Sequence, residues 1–331
     1  MQTTDAQTVT ITGANGFIGS RVCRLLASKG YNIRIICRLS SDLKLLENVP
    51  YTKIIADITD PDSLKKAVYG TDYIIHLAGL VKAKKNSDYF AVNQQGTINL
   101  LNAIKNHNLK LKKFVLISSL AAFGPSKGIP RKESDSPNPL TTYGKSKLAG
   151  EEALDPYREL IPITVLRPPG VYGPGDTEIF TLFDIVNKGF KPYMAGGNNK
   201  VQLIYVDDLA EAIKASMEIP ESRNRAYMIA ENRSYTTREM LNIIGELLGK
   251  KGIGITIPRP LLNLIALFSE LFFKLIGHTP HFSREKVREL TDDWEMDVSR
   301  VKNELGFEAQ VDFRTGARLT IEWYRQKGWL K

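Results

Sequence analysis

Cysteine, long apolar runs and one-sided charge tracts are scarce in this chain, and each scarcity removes a class of protein. Only Cys23 and Cys37 occur among 331 residues, both inside apolar runs. They make no disulfide framework and match no redox or thiolate-metal spacing, so buried reduced thiols in a reducing compartment are expected. Met1 to Gln7 are polar and a glycine-rich motif follows almost at once, which leaves no room for a signal peptide and sets a cytoplasmic expectation. The most apolar stretch, Leu261 to Ile276, is broken by Asn263, Ser269, Glu270 and Lys274. As a helix rising about 1.5 Å per residue it is too short to span a bilayer. No repeat or low-complexity tract is present. The net charge is +9, yet basic residues such as Lys82, Lys84, Lys85, Lys110, Lys112 and Lys113 are scattered, with no basic arm and no interleaved aromatics. Nucleic acid is therefore not an expected partner. The surplus suits an anionic ligand or a membrane surface.

What is present is an ordinary globular composition, 43% hydrophobic and 24% charged, long enough for two domains or one with an appended lobe. Strand-length apolar runs alternate with amphipathic helical runs, the pattern of an α/β, Rossmann-type, doubly wound parallel sheet. Thr8 to Thr12 reads as a strand, Phe17 to Lys29 as a helix stopped by Gly30, and Ile33 to Cys37 as the second strand. Ser40 or Ser41 is expected to cap a further helix, and Lys53 to Ala56, Tyr73 to Leu77, Lys113 to Ser118 and Ile163 to Arg167 supply four more strands. Beyond Arg167, Pro and Gly multiply, and a smaller C-terminal α/β substrate lobe is expected. The expected division is 1–167 plus about 203–217 for the dinucleotide-binding part, with 168–202 and 218–331 in the lobe.

Gly13, Asn15, Gly16, Phe17, Ile18 and Gly19 lie between the first strand and its helix. Glycines spaced this way permit a tight turn and close approach of a pyrophosphate to a helix N-terminus. An acid ending the second strand would bind the ribose hydroxyls of NAD; here Arg38 stands there with two serines, which favours NADP and leaves NAD as the alternative. Asp57, ending the third strand beside Ile58, suits either an adenine amino group or the start of the next helix. Tyr143 and Lys147 are four residues apart and share a helix face. An ammonium about 5 Å from a phenolate contributes roughly 3 kcal/mol at an effective dielectric of 20, which would draw the tyrosine toward neutral pH.

With Ser118-Ser119 ending the fifth strand, these motifs resemble the extended branch of the short-chain dehydrogenase/reductase superfamily along essentially the whole chain. The likeness extends to His76 through Gly79, Asn93 near Gly96-Thr97, Arg167 through Gly175, and Tyr205 through Asp208. The resemblance implies that Tyr143 is the acid/base, that Lys147 holds the nicotinamide ribose and lowers the tyrosine pKa, and that Ser119 binds the substrate oxygen. It implies that Asn93 supports a proton relay, that Leu77, Ala78 and Gly79 line the adenosine side, and that Pro168 to Val171 meet the nicotinamide. Residues 119–124 lack the acidic pair of nucleotide-sugar dehydratases, and Phe123 stands where the family usually has tyrosine. The pattern looks more like the 3β-hydroxysteroid dehydrogenase and dihydroflavonol reductase-like group. The implied activity is carbonyl reduction or secondary-alcohol oxidation on a moderately apolar small molecule. Rivals are an NAD-dependent nucleotide-sugar epimerase using Arg223, Arg225, Arg233 or Lys200 on a diphosphate, and a noncatalytic NAD(P)-sensing module.

Twelve of the sixteen residues from Leu261 to Ile276 are apolar. Such a helix is a core or homodimer element, a lipophilic pocket wall, or an interfacial membrane contact. His278 and His281 have no carboxylate or cysteine at ligand spacing and read as loop residues, so no metal is expected.

Overall fold

The computed structural model describes residues 6–275 and 282–330, so Ile276, His278 and His281 lie outside the described residues. Strands β1 (Thr8–Thr12), β2 (Asn32–Cys37), β3 (Thr52–Ile55), β4 (Tyr73–His76), β5 (Lys113–Ile117) and β6 (Ile163–Arg167) alternate with helices. These are α1 (Phe17–Ser28), α2 (Lys65–Val68), α3 (Asn86–Phe90), α4 (Gly96–His107) and α5 (Thr142–Glu152). There follow β7 (Gly170–Tyr172), α6 (Phe180–Asn187), β8 (Phe190–Met194), β9 (Lys200–Val201), β10 (Leu203–Tyr205), α7 (Val206–Glu218) and β11 (Arg225–Met228). Next come β12 (Tyr235–Thr236), α8 (Thr237–Leu248), β13 (Ile253–Ile257), α9 (Arg259–Leu275), α10 (Arg284–Thr291), α11 (Ser299–Leu305) and α12 (Phe313–Gln326).

Seven strands make one parallel sheet in the order β11-β6-β5-β4-β1-β2-β3. Its direction of winding reverses between β1 and β4, where a crevice opens at the C-terminal strand ends. Both faces are covered, as a parallel sheet requires. Val9, Ile11, Val22, Leu26, Leu209 and Ile213 pack one face, and Ile74, Phe114, Leu100 and Ile104 the other. A third cluster with Tyr172, Phe183, Tyr235, Phe313 and Tyr324 fills the lobe. Cys23 and Cys37 are free and buried.

Three expectations need correction. The helix to be capped by Ser40 or Ser41 is only a 3₁₀ turn at Lys44–Leu46, pinned by buried Leu46 and ended near Asn48, whose φ is +63°. The strand at 203–205 pairs with β7 outside the main sheet, although α7 behind it does pack on α1, where Arg21 grips Asp207 through two bonds of 2.7 and 2.6 Å. The seventh sheet strand is β11, inside the stretch 218–331 that the sequence pattern places wholly in the lobe; it is short, begins with an exposed arginine, and among the described residues pairs only with β6. Among the described side chains of α9 only Leu262 and Ala266 are buried, against Val287 with Met194, Ile257 and Phe282, so this part of the helix is not an element of the main core.

Candidate active site

The crevice begins at the turn after β1. Gly13 has φ +68°, and a Cβ there would lie 2.7 Å from the Ala78 backbone nitrogen. A Cβ on Gly19 would lie 2.1 Å from the Gly13 carbonyl, so α1 can pack this closely on the turn only through glycine. The N-cap of α1, Gly16, offers no capping side chain, and the first turn, with Phe17 and Ile18, carries no acid. A helix N-terminus left open in this way, over a cradle that a Cβ would fill, fits the pyrophosphate of a dinucleotide. Asn15 lies in the same turn, half-buried.

At the ends of β2 and β3, Arg38 is exposed and its charge reaches Asp57. Burial pushes the Asp57 carboxyl up, but bonds from Thr59 N and Oγ1 to Oδ1 at 2.9 and 2.8 Å, together with Arg38, hold it below the usual range. The next residue, Ile58, is turned into the core: its side chain fills the space beside Gly96, and Asn99 Nδ2 donates to its carbonyl at 2.9 Å.

Leu77, Ala78 and Gly79 follow β4, and a Cβ on Gly79 would stand 3.2 Å from Asn93 Oδ1 and 3.6 Å from Lys147 Nζ. Residues 91–95 form a π-helical turn between α3 and α4 that points Asn93 inward. Asn93 Oδ1 accepts from Leu80 N at 2.7 Å, and its Nδ2 donates to Leu80 O at 3.1 Å and to Ser146 Oγ at 2.8 Å. It ties the loop after β4 to α5.

Helix α5 starts at Thr141, whose hydroxyl accepts from Gly144 N at 3.0 Å. A Cβ on Gly144 would come 2.3 Å from the Ala121 carbonyl, so this glycine lets α5 approach the turn after β5. The approach brings the Ser119 hydroxyl into hydrogen-bonding contact with the Tyr143 phenol. Burial nevertheless pushes the phenol up to about 12, against the Ser119 bond and with the Glu289 charge and the Tyr89 ring adding to the rise. The expected drift toward neutral pH is therefore not present here. Burial is the main reason, and the neighbouring ammonium does not offset it: Lys147 Nζ donates to the Ile117 carbonyl at 2.7 Å. Lys147 is itself lowered to about 8 by burial, opposed by Glu151. Ser118 Oγ is buried with no hydrogen-bond partner among the described residues. Pro168 follows β6 and accepts from Leu120 N at 2.8 Å, while Val171 lies on β7, half-buried against the sheet's core.

Two groups carry no role in the sequence reading. His76, fully enclosed, is lowered to about 3 by burial and then by the Lys147 charge. Thr97 Oγ1 donates to Asn93 O at 2.8 Å, so at 3.1 Å it accepts from His76 Nε2; His76 Nδ1 accepts from Thr12 Oγ1 at 2.7 Å, and that oxygen accepts from Ala78 N at 3.0 Å. The network assigns the neutral Nε2–H tautomer. The second is Glu151, which receives Arg167 Nη2 at 2.6 Å and Nε at 3.0 Å, with the guanidinium 4.1 Å from the Phe123 ring centre. The i+4 spacing of Glu151 from Lys147 was available as a signal; Glu289 on α10, distant in sequence, offered none.

The model of the NAD dependent epimerase/dehydratase family matches residues 9–230. Ceramide reductase of Caulobacter vibrioides is 29% identical over 330 residues, 99% of this chain and 98% of that protein. UDP-glucose 4-epimerase of Vibrio cholerae is 25% identical over 97% of this chain and 96% of its own length. The crystal structure of gox2253 superposes with a TM-score of 0.84 at 25% identity, covering 98% of this chain and all of the other. A glycine cradle, a seven-stranded parallel sheet and a match across two-thirds of the residues agree: the chain belongs to the NAD dependent epimerase/dehydratase family, within the extended short-chain dehydrogenase/reductases.

Proposed function

We propose that the protein is an NADP-dependent carbonyl reductase, in reverse a secondary-alcohol dehydrogenase, acting on a moderately apolar substrate of steroid- or flavonoid-like character. The observation that carries this reading is the contact of the Ser119 and Tyr143 hydroxyls at the C-terminal end of β5, with Lys147 one turn further along α5. A nicotinamide dinucleotide bound in the crevice supplies the hydride. In reduction Ser119 donates a hydrogen bond to the substrate oxygen and Tyr143 delivers a proton to it. A phenol held near 12 keeps its proton at neutral pH, as an acid must, and Lys147, lowered only to about 8, is still mostly charged at pH 7 to hold the nicotinamide ribose. Arg38 in place of an acid supports NADP over NAD.

Epimerisation of a nucleotide sugar is the second reading, favoured by the similarity to UDP-glucose 4-epimerase. Against it, Arg223 and Arg225 lie at the start of β11, the end of the sheet opposite the crevice, and Arg233 is already paired with Glu239 and stacked on Tyr235. Lys200 sits on an exposed strand of the lobe. A noncatalytic module has no need of Ser119, Tyr143 and Lys147 together.

The test is Tyr143→Phe measured alongside cofactor titration. The variant should keep NADPH-dependent thermal stabilisation, about 2.7 kcal/mol at a hundredfold excess over Kd, and lose about 10²- to 10⁴-fold in ketone turnover. Unchanged turnover refutes the acid/base role, stabilisation by NADH alone refutes NADP, and conversion of nucleotide sugars with retained NAD selects the epimerase.

A further inference from the structure

We infer that the outer face of α9 docks the protein on an anionic lipid membrane. The helix is apolar on both sides. Its inner side, Leu262 and Ala266, is covered by α10 and neighbouring segments. Its outer side presents Leu261, Leu264, Ile265, Phe268, Leu271 and Phe272, each between 47% and 64% exposed. At 100° per residue these six fall within an arc of about 120°, the geometry of a helix lying in an interface rather than of scattered surface residues. No polar residue of α9 falls within that arc, and Glu270 is turned toward α10, where it is engaged by Arg284 N and Nε at 2.7 and 2.9 Å. Strand β13, which leads into the helix, leaves Ile253 and Ile255 exposed as well. Among the described residues no helix is long and apolar enough to cross a membrane, so this face can rest in an interface but not span it.

Charge selects the occupant. Residues 250–275 hold four Lys and Arg against a single acid, Glu270; Arg259 is paired with Asp292 at 2.8 Å and Glu270 with Arg284, so Lys250 and Lys251 carry the exposed surplus. Lys250 and Lys251 are exposed and make no ion pair among the described residues. Pairing of two copies through this face would bring that basic surplus against itself, whereas anionic headgroups neutralise it. The location adds a purpose. Helix α10 packs on α9 through Val287, and its Glu289 is close enough to raise the Tyr143 phenol. The docked face is thus one helix away from the candidate active site, where an apolar substrate could pass from the lipid. Docking does not depend on which carbonyl is reduced.

The experiment is flotation of the full-length protein with vesicles of phosphatidylcholine alone and with 30% phosphatidylglycerol. The expected result is recovery with the anionic vesicles, diminished by 0.5 M salt. Phe268→Trp should show a blue-shifted emission quenched by brominated acyl chains. A Leu264→Gln, Phe268→Gln, Phe272→Gln variant should partition at least about tenfold less, with NADPH-dependent stabilisation intact to prove that it folds. Lys250→Glu with Lys251→Glu should weaken binding to anionic vesicles only. Absence of flotation with anionic vesicles, an emission from the Phe268→Trp variant that brominated lipid leaves unquenched, or a concentration-dependent dimer abolished by the glutamine substitutions overturns the proposal.

Discussion

His76 illustrates how much a single side chain can settle. Both ring nitrogens are satisfied by threonine hydroxyls in a chain that runs from the Ala78 amide to the Asn93 carbonyl, with Nε2 donating and Nδ1 accepting, an arrangement that disfavours a second proton on the ring. An unfolded histidine titrates near 6.5, while burial holds the folded one near 3. Below pH 6.5 the unfolded chain therefore takes up a proton that the native state refuses, and stability is lost as pH falls through the window from 6.5 toward 3. Between pH 7 and pH 5 this contributes about 2 kcal/mol of destabilisation. Urea unfolding of wild type and His76→Gln at the two pH values checks it: the variant starts less stable but should lack that part of the pH slope, and parallel slopes would show that His76 titrates normally. The residue was visible in the sequence within the run His76 to Gly79, but its role was not, because the partners Thr12 and Thr97 come from other elements and carry no spacing signal. Arg38, Asp57 and Lys147 were legible as residue types at strand ends and on a helix face. The direction of the Tyr143 shift was not, since an estimate from charge separation omits burial.

Elements were legible where a period repeats. Strands β1 and β6 stand where apolar, β-branched runs placed them, and α1 ends as Gly30 requires, with φ +85°. Elements shorter than a period were not: the 3₁₀ turn at Lys44–Leu46, the π-helical turn holding Asn93 and the four-residue β11 owe their form to tertiary packing. The union of β1, its turn and α1 is a place where element packing can be tested directly. Gly19→Ala drives a methyl to within 2.1 Å of the Gly13 carbonyl, a backbone atom that cannot swing aside, so α1 must lift from the turn. Overpacking of this kind costs about 1–3 kcal/mol. Differential scanning fluorimetry should show a lowered Tm and loss of the NADPH-dependent shift. Gly16→Ala, with its Cβ 3.3 Å from the same carbonyl, should retain most of the Tm while weakening the NADPH-dependent shift. Equal behaviour of the two variants would show that the cradle is looser than its geometry indicates.

For the molecule as a whole, the chain does not divide in two at the point where its strand-helix alternation loosens. Fragment 1–217 contains six sheet strands and α7 and looks self-sufficient by pattern. It lacks β11, which covers the edge of β6, a strand whose five residues are all buried. It also lacks Val301, Leu305 and Phe307, which return from near the C-terminus to close the same core as Val9 and Leu26. Removing everything after residue 217 thus opens a hydrophobic parallel edge and strips part of one sheet face, the two features that most favour intermolecular strand pairing. The buried hydroxyl of Ser222, which accepts from Lys113 Nζ at 2.6 Å, would be lost as well, leaving that ammonium short of its partner. Size-exclusion chromatography and circular dichroism of fragment 1–217 should find aggregate with little cooperative unfolding, whereas the intact chain should unfold in a single transition. A monodisperse, cooperatively folded fragment would mean that the sheet is complete without its last strand, and that the C-terminal segments are an addition to the dinucleotide-binding part rather than a portion of its core.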